Sequence, residues 1–486
     1  MSDLTRKAAV GTVAHVAAWL CLSICGYIVA VVLARVLGPA AYGVYGIIYS
    51  LLMALELIGK LGIPQAAIRL AAERLGPALS LEATALTLGL AAYLGLFVIV
   101  FAAAPLLAAL FGIEDGTRLF RIAAIDIPFY GMFASLLSIL NGRRAFLRES
   151  SVFAFYGLTR TVAVLALAWV GPSVEGALIV NILVSIASAA VAAVAVGTDA
   201  FRPTLAEARP ILRLAVPVAL LTAGTQILPA LDLWVLSAVG ADLPDAVKGT
   251  YLAALNAARI PGFLANAMAS VLVPSIAAAL AVGDRDTARR TLQGAMRFML
   301  VVLLGLCAPI AANAGAVMVL LFTAEYGDGG PVLAILVFAQ GLCMTVLLTL
   351  CNVLFGGGRT AAAATLALGL IPFQLAITAV LVLQLGATGA ALGTLVGACA
   401  GVAAAAILVH RMLGSLLEPS IVARTVLAAV VAAVASRLVA TEGWMLLLDL
   451  ALSGLLYGLL LLVLRVVRFD DVQILLPARR ASGATS

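Results

Sequence analysis

Charge is the scarcest commodity in this chain: Asp, Glu, Lys and Arg together make up 11% of the residues, against about 25% in soluble proteins. Polar stretches reach only about a dozen residues, so no catalytic or binding domain has room to fold outside the apolar segments. Histidine occurs twice, at His15 and His410, with no ligand or catalytic constellation around either. The six cysteines (Cys21, Cys25, Cys307, Cys343, Cys351, Cys399) all lie in apolar runs, and none forms a CxxC pair or a Cys/His set. They read as small buried hydrophobes, and neither a metal nor a cofactor is expected. HExxH, GxxxxGK[ST] and GxSxG are absent, which argues against an enzyme and against ATP-driven work by this chain alone.

Apolar residues fill the space: 64% of 486 positions, with a mean hydropathy of +1.19. At 20 to 25 residues per span this supplies material for about 12 to 15 transmembrane helices. The expected fold is therefore all-α and polytopic. Windows bounded by Gly, Pro or charge give fourteen spans, beginning near residues 8, 42, 82, 118, 150, 174, 211, 247, 291, 330, 361, 387, 421 and 444. The first follows Arg6 and Lys7 and runs apolar from about Ala8 to Val36, far longer than the about 7 to 15 residues of a signal-peptide core, so it reads as an uncleaved helix. An even count places both termini on one side. Most Lys and Arg residues then share the side of the termini. The opposite side holds only Arg35, Arg118, Arg121, Lys248 and Arg437, while Lys60, Arg160 and Arg259 fall deep within spans. That asymmetry expects both ends in the cytoplasm, and the net charge of +6 reads as membrane topology rather than as a nucleic-acid surface.

The chain also matches itself when shifted by roughly 200 to 216 residues. Leu37 to Gly46 (LGPAAYGVYG) resembles Val239 to Tyr251 (VGADLPDAVKGTY), each passing through Gly and Pro to a Gly-x-Tyr. Gly171 to Leu178 resembles Gly386 to Leu392, and Asn141 to Arg144 resembles Gly356 to Arg359. Spans 1–6 and 7–12 thus read as two parallel six-helix lobes, 1–200 and 201–415, related by an axis along the membrane normal. Spans 13 and 14 (416–470) are an addition, and 471–486 form a cytoplasmic tail.

An ionisable side chain inside a span is a functional candidate because of what its burial costs. Glu56 and Lys60 share a helix face at i,i+4 and can neutralise each other. Asp126, Arg160, Asp232 and Arg259 complete the set. Arg160 and Arg259 lie roughly 15 to 18 Å from their helix ends, near mid-bilayer, one in each lobe. Two such guanidiniums suit a doubly charged phosphate group; pairing with Asp126 and Asp232 to stabilise the bundle is the competing role. Asp126, Asp232 and Glu56 are candidates for a coupling ion (Na+ or H+), and Asn256 and Asn266 for hydrogen bonds to a sugar. The glycines at 389, 393, 397 and 401 form a repeated GxxxG, expected to pack closely on a neighbouring helix.

The segment from Ala34 to Arg69, ARVLGPAAYGVYGIIYSLLMALELIGKLGIPQAAIR, resembles the opening of polysaccharide-biosynthesis membrane proteins. These are lipid-linked oligosaccharide flippases of the multidrug/oligosaccharidyl-lipid/polysaccharide (MOP) exporter superfamily. ARIPGFLANAMASVLVPSIA (Ala258 to Ala277) and the parallel lobes are similar too. The resemblance implies a bacterial inner-membrane protein carrying an undecaprenyl-pyrophosphate-linked oligosaccharide between leaflets by alternating access. Its partners would be membrane lipids, a glycan polymerase and glycosyltransferases, with no nucleic acid. Arg160 and Arg259 fit the pyrophosphate site that this resemblance implies, and Lys60, Arg35, Asn256 and Asn266 are the further candidate substrate contacts. Lipid II flippases carry several basic residues on helices 1 and 2, whereas helix 1 here has only Arg35. A cation-coupled drug exporter of the same superfamily is the alternative reading, and a glycan polymerase or ligase a more distant one.

Overall fold

Within a bilayer no water satisfies backbone N–H and C=O groups, so an apolar chain of this composition has to close its hydrogen bonds within helices. The computed structural model of the protein does so throughout. It describes residues 3–60, 79–197, 203–263, 282–414, 417–438 and 443–466, together with 62–63, 66–67, 70, 275–276 and 278–280. Every regular element among them is helical. In chain order these are α1 (Asp3–Gly59), α2 (Leu79–Phe111), α3 (Gly116–Gly142), α4 (Phe146–Val170), α5 (Val174–Val196), α6 (Leu205–Ile227), α7 (Leu231–Val239), α8 (Asp245–Ala258), α9 (Arg285–Ala312) and α10 (Ala314–Leu321). They continue with α11 (Gly330–Leu336), α12 (Thr345–Gly356), α13 (Thr360–Leu413), α14 (Pro419–Arg437) and α15 (Met445–Val463). Ten helical stretches among the described residues are long and apolar enough to cross a membrane.

Two of those stretches are bent pairs. α1 turns at Gly38 (φ 72°, ψ 170°) and α13 at Gly386 (φ 58°, ψ −132°), a backbone region that a side chain would strain. The bends coincide with the boundaries expected between spans 1 and 2 and between spans 11 and 12. Span 7 is α6 continued into α7 through a 3₁₀ turn, Leu228–Ala230. Span 10 is α11 and α12 joined by a π-helical segment, Val337–Met344.

Helix packing follows the small residues. A Cβ at Gly389, Gly393, Gly397 or Gly401 would press on Leu381, Thr378, Gln374 or Leu370, so the GxxxG strip folds the second half of α13 back onto its first half, as expected. α14 and α15 pack on α9. Gly305 makes room there for the ring of Tyr457, whose hydroxyl donates to the Val301 carbonyl at 2.8 Å.

Side-chain contacts join the first five helices to the rest along the second half of α1 and at the end opposite Gly38, where Thr84 Oγ1 accepts from the Thr204 amide at 3.0 Å. Tyr326 donates to the Ala34 carbonyl at 2.7 Å, and Trp234 to Ser50 Oγ at 3.0 Å. Gly43 and Gly249, the glycines of the two Gly-x-Tyr repeats, meet at the crossing of α1 and α8. At the opposite end Arg143 forks onto Glu82 at 2.8 to 3.2 Å and reaches the Val196 carbonyl at 2.9 Å, tying α2, α3 and α5 together.

Candidate functional site

Three tyrosines one turn apart on the second half of α1 build the centre of the molecule. The Tyr42 and Tyr45 rings lie 6.5 Å apart and nearly parallel, and Tyr45 and Tyr49 stack at 5.4 Å. Arg160 of α4 sits at the far end of this ladder, its Cζ 4.6 Å from the centre of the Tyr49 ring. Its Nη2 donates to Tyr45 Oη at 3.3 Å and its Nε to Asn181 Oδ1 of α5 at 3.1 Å. Asn181 Nδ2 completes a triangle with Tyr45 Oη at 3.4 Å. All of these partners are uncharged, so the guanidinium is held in place without an ion pair. No carboxylate among the described residues reaches ion-pair distance of it; Glu56 and Asp126 lie within electrostatic range.

The second arginine depends on a break in a helix. Pro229 cannot donate a backbone hydrogen bond to the carbonyl four residues back, the chain passes there into the 3₁₀ turn Leu228–Ala230, and the Leu228 and Pro229 carbonyls accept from side chains. Arg259, which caps the C-terminus of α8, donates through Nη2 to the Pro229 carbonyl at 2.6 Å. Gln340 donates to the same carbonyl at 3.0 Å, and Gln374 to that of Leu228 at 3.3 Å. One turn on, the fully buried Asp232 accepts from Tyr251 at 2.8 Å, Thr394 at 3.0 Å and Gln340 at 3.3 Å on Oδ2, and from the Leu233 amide on Oδ1. Arg259 is close enough to Asp232 for their charges to interact, yet its recorded hydrogen bond goes to a neutral carbonyl.

Asn256 links the two halves. Its Nδ2 donates to Tyr42 Oη at 3.0 Å, and its carbonyl accepts from Tyr27. Arg259 lies one turn further along the same helix run. These contacts line up as a relay of Arg160, Tyr45, Tyr42, Asn256 and Arg259 across the boundary between the first five helices and the later ones, hydrogen-bonded at Arg160–Tyr45 and Tyr42–Asn256, and joined by ring stacking between the tyrosines and by the backbone between Asn256 and Arg259.

Other sequence candidates stand apart from this relay. Arg35 is exposed at the Gly38 end, where its Nε and Nη2 cap α10 by donating to the Leu321 and Leu320 carbonyls at 3.0 and 2.7 Å. Glu56 and Lys60 make no hydrogen bond or ion pair with each other. Glu56 is buried with Oε1 unpartnered, while Lys60 lines a separate pocket of about 90 Å³ with Glu82, Tyr93, Ser135 and Ser138 between α1, α2 and α3. Asp126 is buried with Oδ1 unpartnered. Asn266 lies outside the described residues. No group of three or more His, Cys, Asp or Glu side chains among those described is arranged to hold a metal ion.

Sequence reasoning left out Tyr42, Tyr45, Tyr49, Tyr251 and Thr394. Their signal was present in the Tyr spacing of 3 and 4 residues on one face. What hid it was the habit of reading aromatics within a span as packing.

Comparison with known proteins follows the same outline. The polysaccharide biosynthesis protein family matches residues 8–280. A lipid II flippase, MurJ, in an inward closed conformation superposes with a TM-score of 0.77 at 16% identity, covering 92% of this chain and 97% of that one. An inward-facing multidrug resistance MATE transporter of the MOP superfamily gives 0.68 at 16% identity, covering 80% and 95%. A MOP superfamily transporter from Pyrococcus furiosus gives 0.60 at 17% identity, covering 82% and 93%. No curated protein sequence matches the chain significantly. At these identities the structural likeness speaks for the fold, and it agrees with the family match over more than half the chain: the protein belongs to the polysaccharide biosynthesis protein family and has the fold of the MOP superfamily.

Proposed function

We propose that the protein is a flippase moving an undecaprenyl-pyrophosphate-linked oligosaccharide from the inner to the outer leaflet of a bacterial inner membrane by alternating access. The observation that carries this reading is the pair of half-buried arginines, Arg160 and Arg259, held by neutral partners at the two ends of one relay. A guanidinium without an ion-pair partner in a low-dielectric setting attracts an anion and can bind phosphate oxygens in a bidentate fork. One pyrophosphate offers each arginine an oxygen pair. Asn256, between them, offers a hydrogen-bonding amide to the attached sugar, and Asn266 is a second such amide. Lys60 and Arg35 would meet the anionic head group on entry and exit, at opposite ends of the second half of α1.

The same reading takes the chain as fourteen crossings with both termini cytoplasmic, in two parallel lobes, 1–200 and 201–415, rocking about the α1–α8 crossing. The Gly38 end is then the outer face. Glu56, Asp126 and Asp232 are the places for a coupling proton or sodium ion, since an acid in a wetted cavity can exchange a cation as the cavity changes sides. Glycosyltransferases would supply the substrate, and a polymerase would consume it.

A second reading, a cation-coupled exporter of small molecules, draws on the buried carboxyl oxygens of Glu56 and Asp126 that lack hydrogen-bond partners. Liposomes loaded with a fluorescent undecaprenyl-pyrophosphate oligosaccharide distinguish the two. Flipping by the wild type, lost in Arg259→Ala, supports the flippase. Export of an organic cation with no lipid flipping supports the exporter.

A further inference from the structure

The π-helical segment Val337–Met344 carries two side chains with different neighbours. Gln340 reaches Asp232 and the Pro229 carbonyl. Cys343, three residues on, places its Sγ 3.7 Å from Sγ of Cys399 on α13. α13 in turn supplies Thr394, whose hydroxyl donates to the same Asp232 oxygen. The two helical runs that hold Asp232 are therefore the two that bring these thiols together. Each cysteine lies 13 residues from its helix start at the Gly38 end, about 20 Å into the bundle at 1.5 Å per residue. Both thiols are free, Cys399 exposed and Cys343 partly so, which leaves the pair open to a reagent dissolved in the bilayer.

We propose that Cys343 and Cys399 form an oxidisable dithiol whose disulfide staples the π-helical segment to α13 and holds the Asp232 cluster in one arrangement. The gap between the sulfurs has to close to about 2.0 Å, a movement within reach of rotation about the two Cα–Cβ bonds and a small slide of the irregular π segment. The oxidant is a lipid-soluble quinone, which reaches thiols at this depth as water-soluble disulfides do not. Two S–H bonds break and one S–S bond forms; the two electrons and two protons pass to the quinone, which becomes the quinol. The staple acts where movement is cheapest, since π segments inside α-helices interrupt the regular hydrogen-bond ladder and concentrate at functional positions. Fixing it removes the freedom of Gln340 to leave Asp232.

The test uses the full-length protein in lipid nanodiscs treated with a short-chain ubiquinone analogue and then with dithiothreitol. Mass spectrometry of non-reduced peptides reads the cross-link, and amide hydrogen exchange over residues 337–344 reads the clamp. Neither readout depends on which substrate the protein carries. The expected result is a Cys343–Cys399 peptide with exchange across the segment slowed about tenfold, both reversed by dithiothreitol. The cross-link is absent in Cys399→Ser and retained in Cys307→Ser, which changes a third thiol beside the same segment. Failure of the wild type to cross-link at excess quinone would overturn the proposal, and so would a cross-linked protein whose exchange is unchanged.

Discussion

Gly43 and Gly249 lie against each other at the crossing of α1 and α8. A Cβ at position 43 would stand 2.7 Å from the Gly249 amide nitrogen, and one at position 249 would stand 2.9 Å from that of Gly43. They hold the same place in the two Gly-x-Tyr motifs of the sequence, so the two motifs meet in one contact. Close approach of this kind maximises van der Waals packing, which takes over the role of the hydrophobic effect between helices in lipid. Gly249→Ala should force the two backbones apart and cost about 1 to 3 kcal/mol. Thermal unfolding in detergent measures this against Gly294→Ala, where a Cβ meets open space and a helical Gly→Ala change should be neutral or stabilising by up to about 1 kcal/mol. Equal melting temperatures for the two variants would contradict the tight crossing.

The bond from Asn256 to Tyr42 joins the two halves of the relay, and it should behave as a single pairwise interaction. Tyr42→Phe and Asn256→Ala each remove it, so a double-mutant cycle on unfolding should show a coupling of about 1 kcal/mol. Purely additive effects would mean that the two residues act independently.

α14 and α15 are fastened by a polar contact in an otherwise apolar seam. Ser436 Oγ donates to Asp449 Oδ2 at 2.5 Å, and Asn313 Nδ2 donates to Ser436 at 2.6 Å and to Asp449 at 3.3 Å, while Arg437 caps the Ala312 carbonyl at 3.1 Å. Asn313→Ala leaves a buried carboxylate one donor short and should destabilise by about 1 to 3 kcal/mol. The loss should appear as faster proteolysis between α14 and α15 (residues 438–444); an unchanged digestion pattern would place the fastening elsewhere.

Arg143 and Glu82 hold α2, α3 and α5 at the end opposite Gly38, with both side chains mostly buried. Glu82→Ala removes the forked carboxylate from a largely desolvated guanidinium. Removing one partner of a buried pair costs about 3 to 5 kcal/mol, and partial exposure here reduces the expected cost to about 1 to 3 kcal/mol. Chemical unfolding should show it, and most of it should return in Glu82→Asp; a variant as stable as the wild type would reduce the pair to a surface contact.

The sequence announced the helices because each needs little more than an apolar run bounded by Gly, Pro or charge. It announced the GxxxG strip of α13 for a similar reason: a row of missing side chains at i,i+4 has one structural use. The central arginines were legible from depth alone. The groups that hold them were not. Tyr45 and Asn181 meet Arg160 from α1 and α5, and Gln340 and Thr394 meet at Asp232 from segments more than 50 residues apart. Such meetings are set by tertiary packing rather than by local periodicity. The side-chain bonds to the Leu228 and Pro229 carbonyls and the π segment at 337–344 belong to the same class, since a helix irregularity shows only once its hydrogen bonds can be followed. Glu56 and Lys60 illustrate the converse. Their i,i+4 spacing allowed an ion pair, yet Glu56 is buried with Oε1 unpartnered and Lys60 lines a pocket between α1, α2 and α3.

The central claim is that Arg160 and Arg259 together bind the pyrophosphate of a lipid-linked glycan. Native mass spectrometry of the purified protein with an undecaprenyl-pyrophosphate oligosaccharide tests it most directly, comparing the wild type with Arg160→Ala, Arg259→Ala and the charge-conserving Arg160→Lys. The account predicts binding by the wild type, at least about tenfold weaker binding in each alanine variant, equivalent to about 1.4 kcal/mol or more, and intermediate binding in the lysine variant, which keeps the charge and loses the fork. Undiminished binding in both alanine variants, or a wild type that retains an organic cation and ignores the lipid, would contradict it.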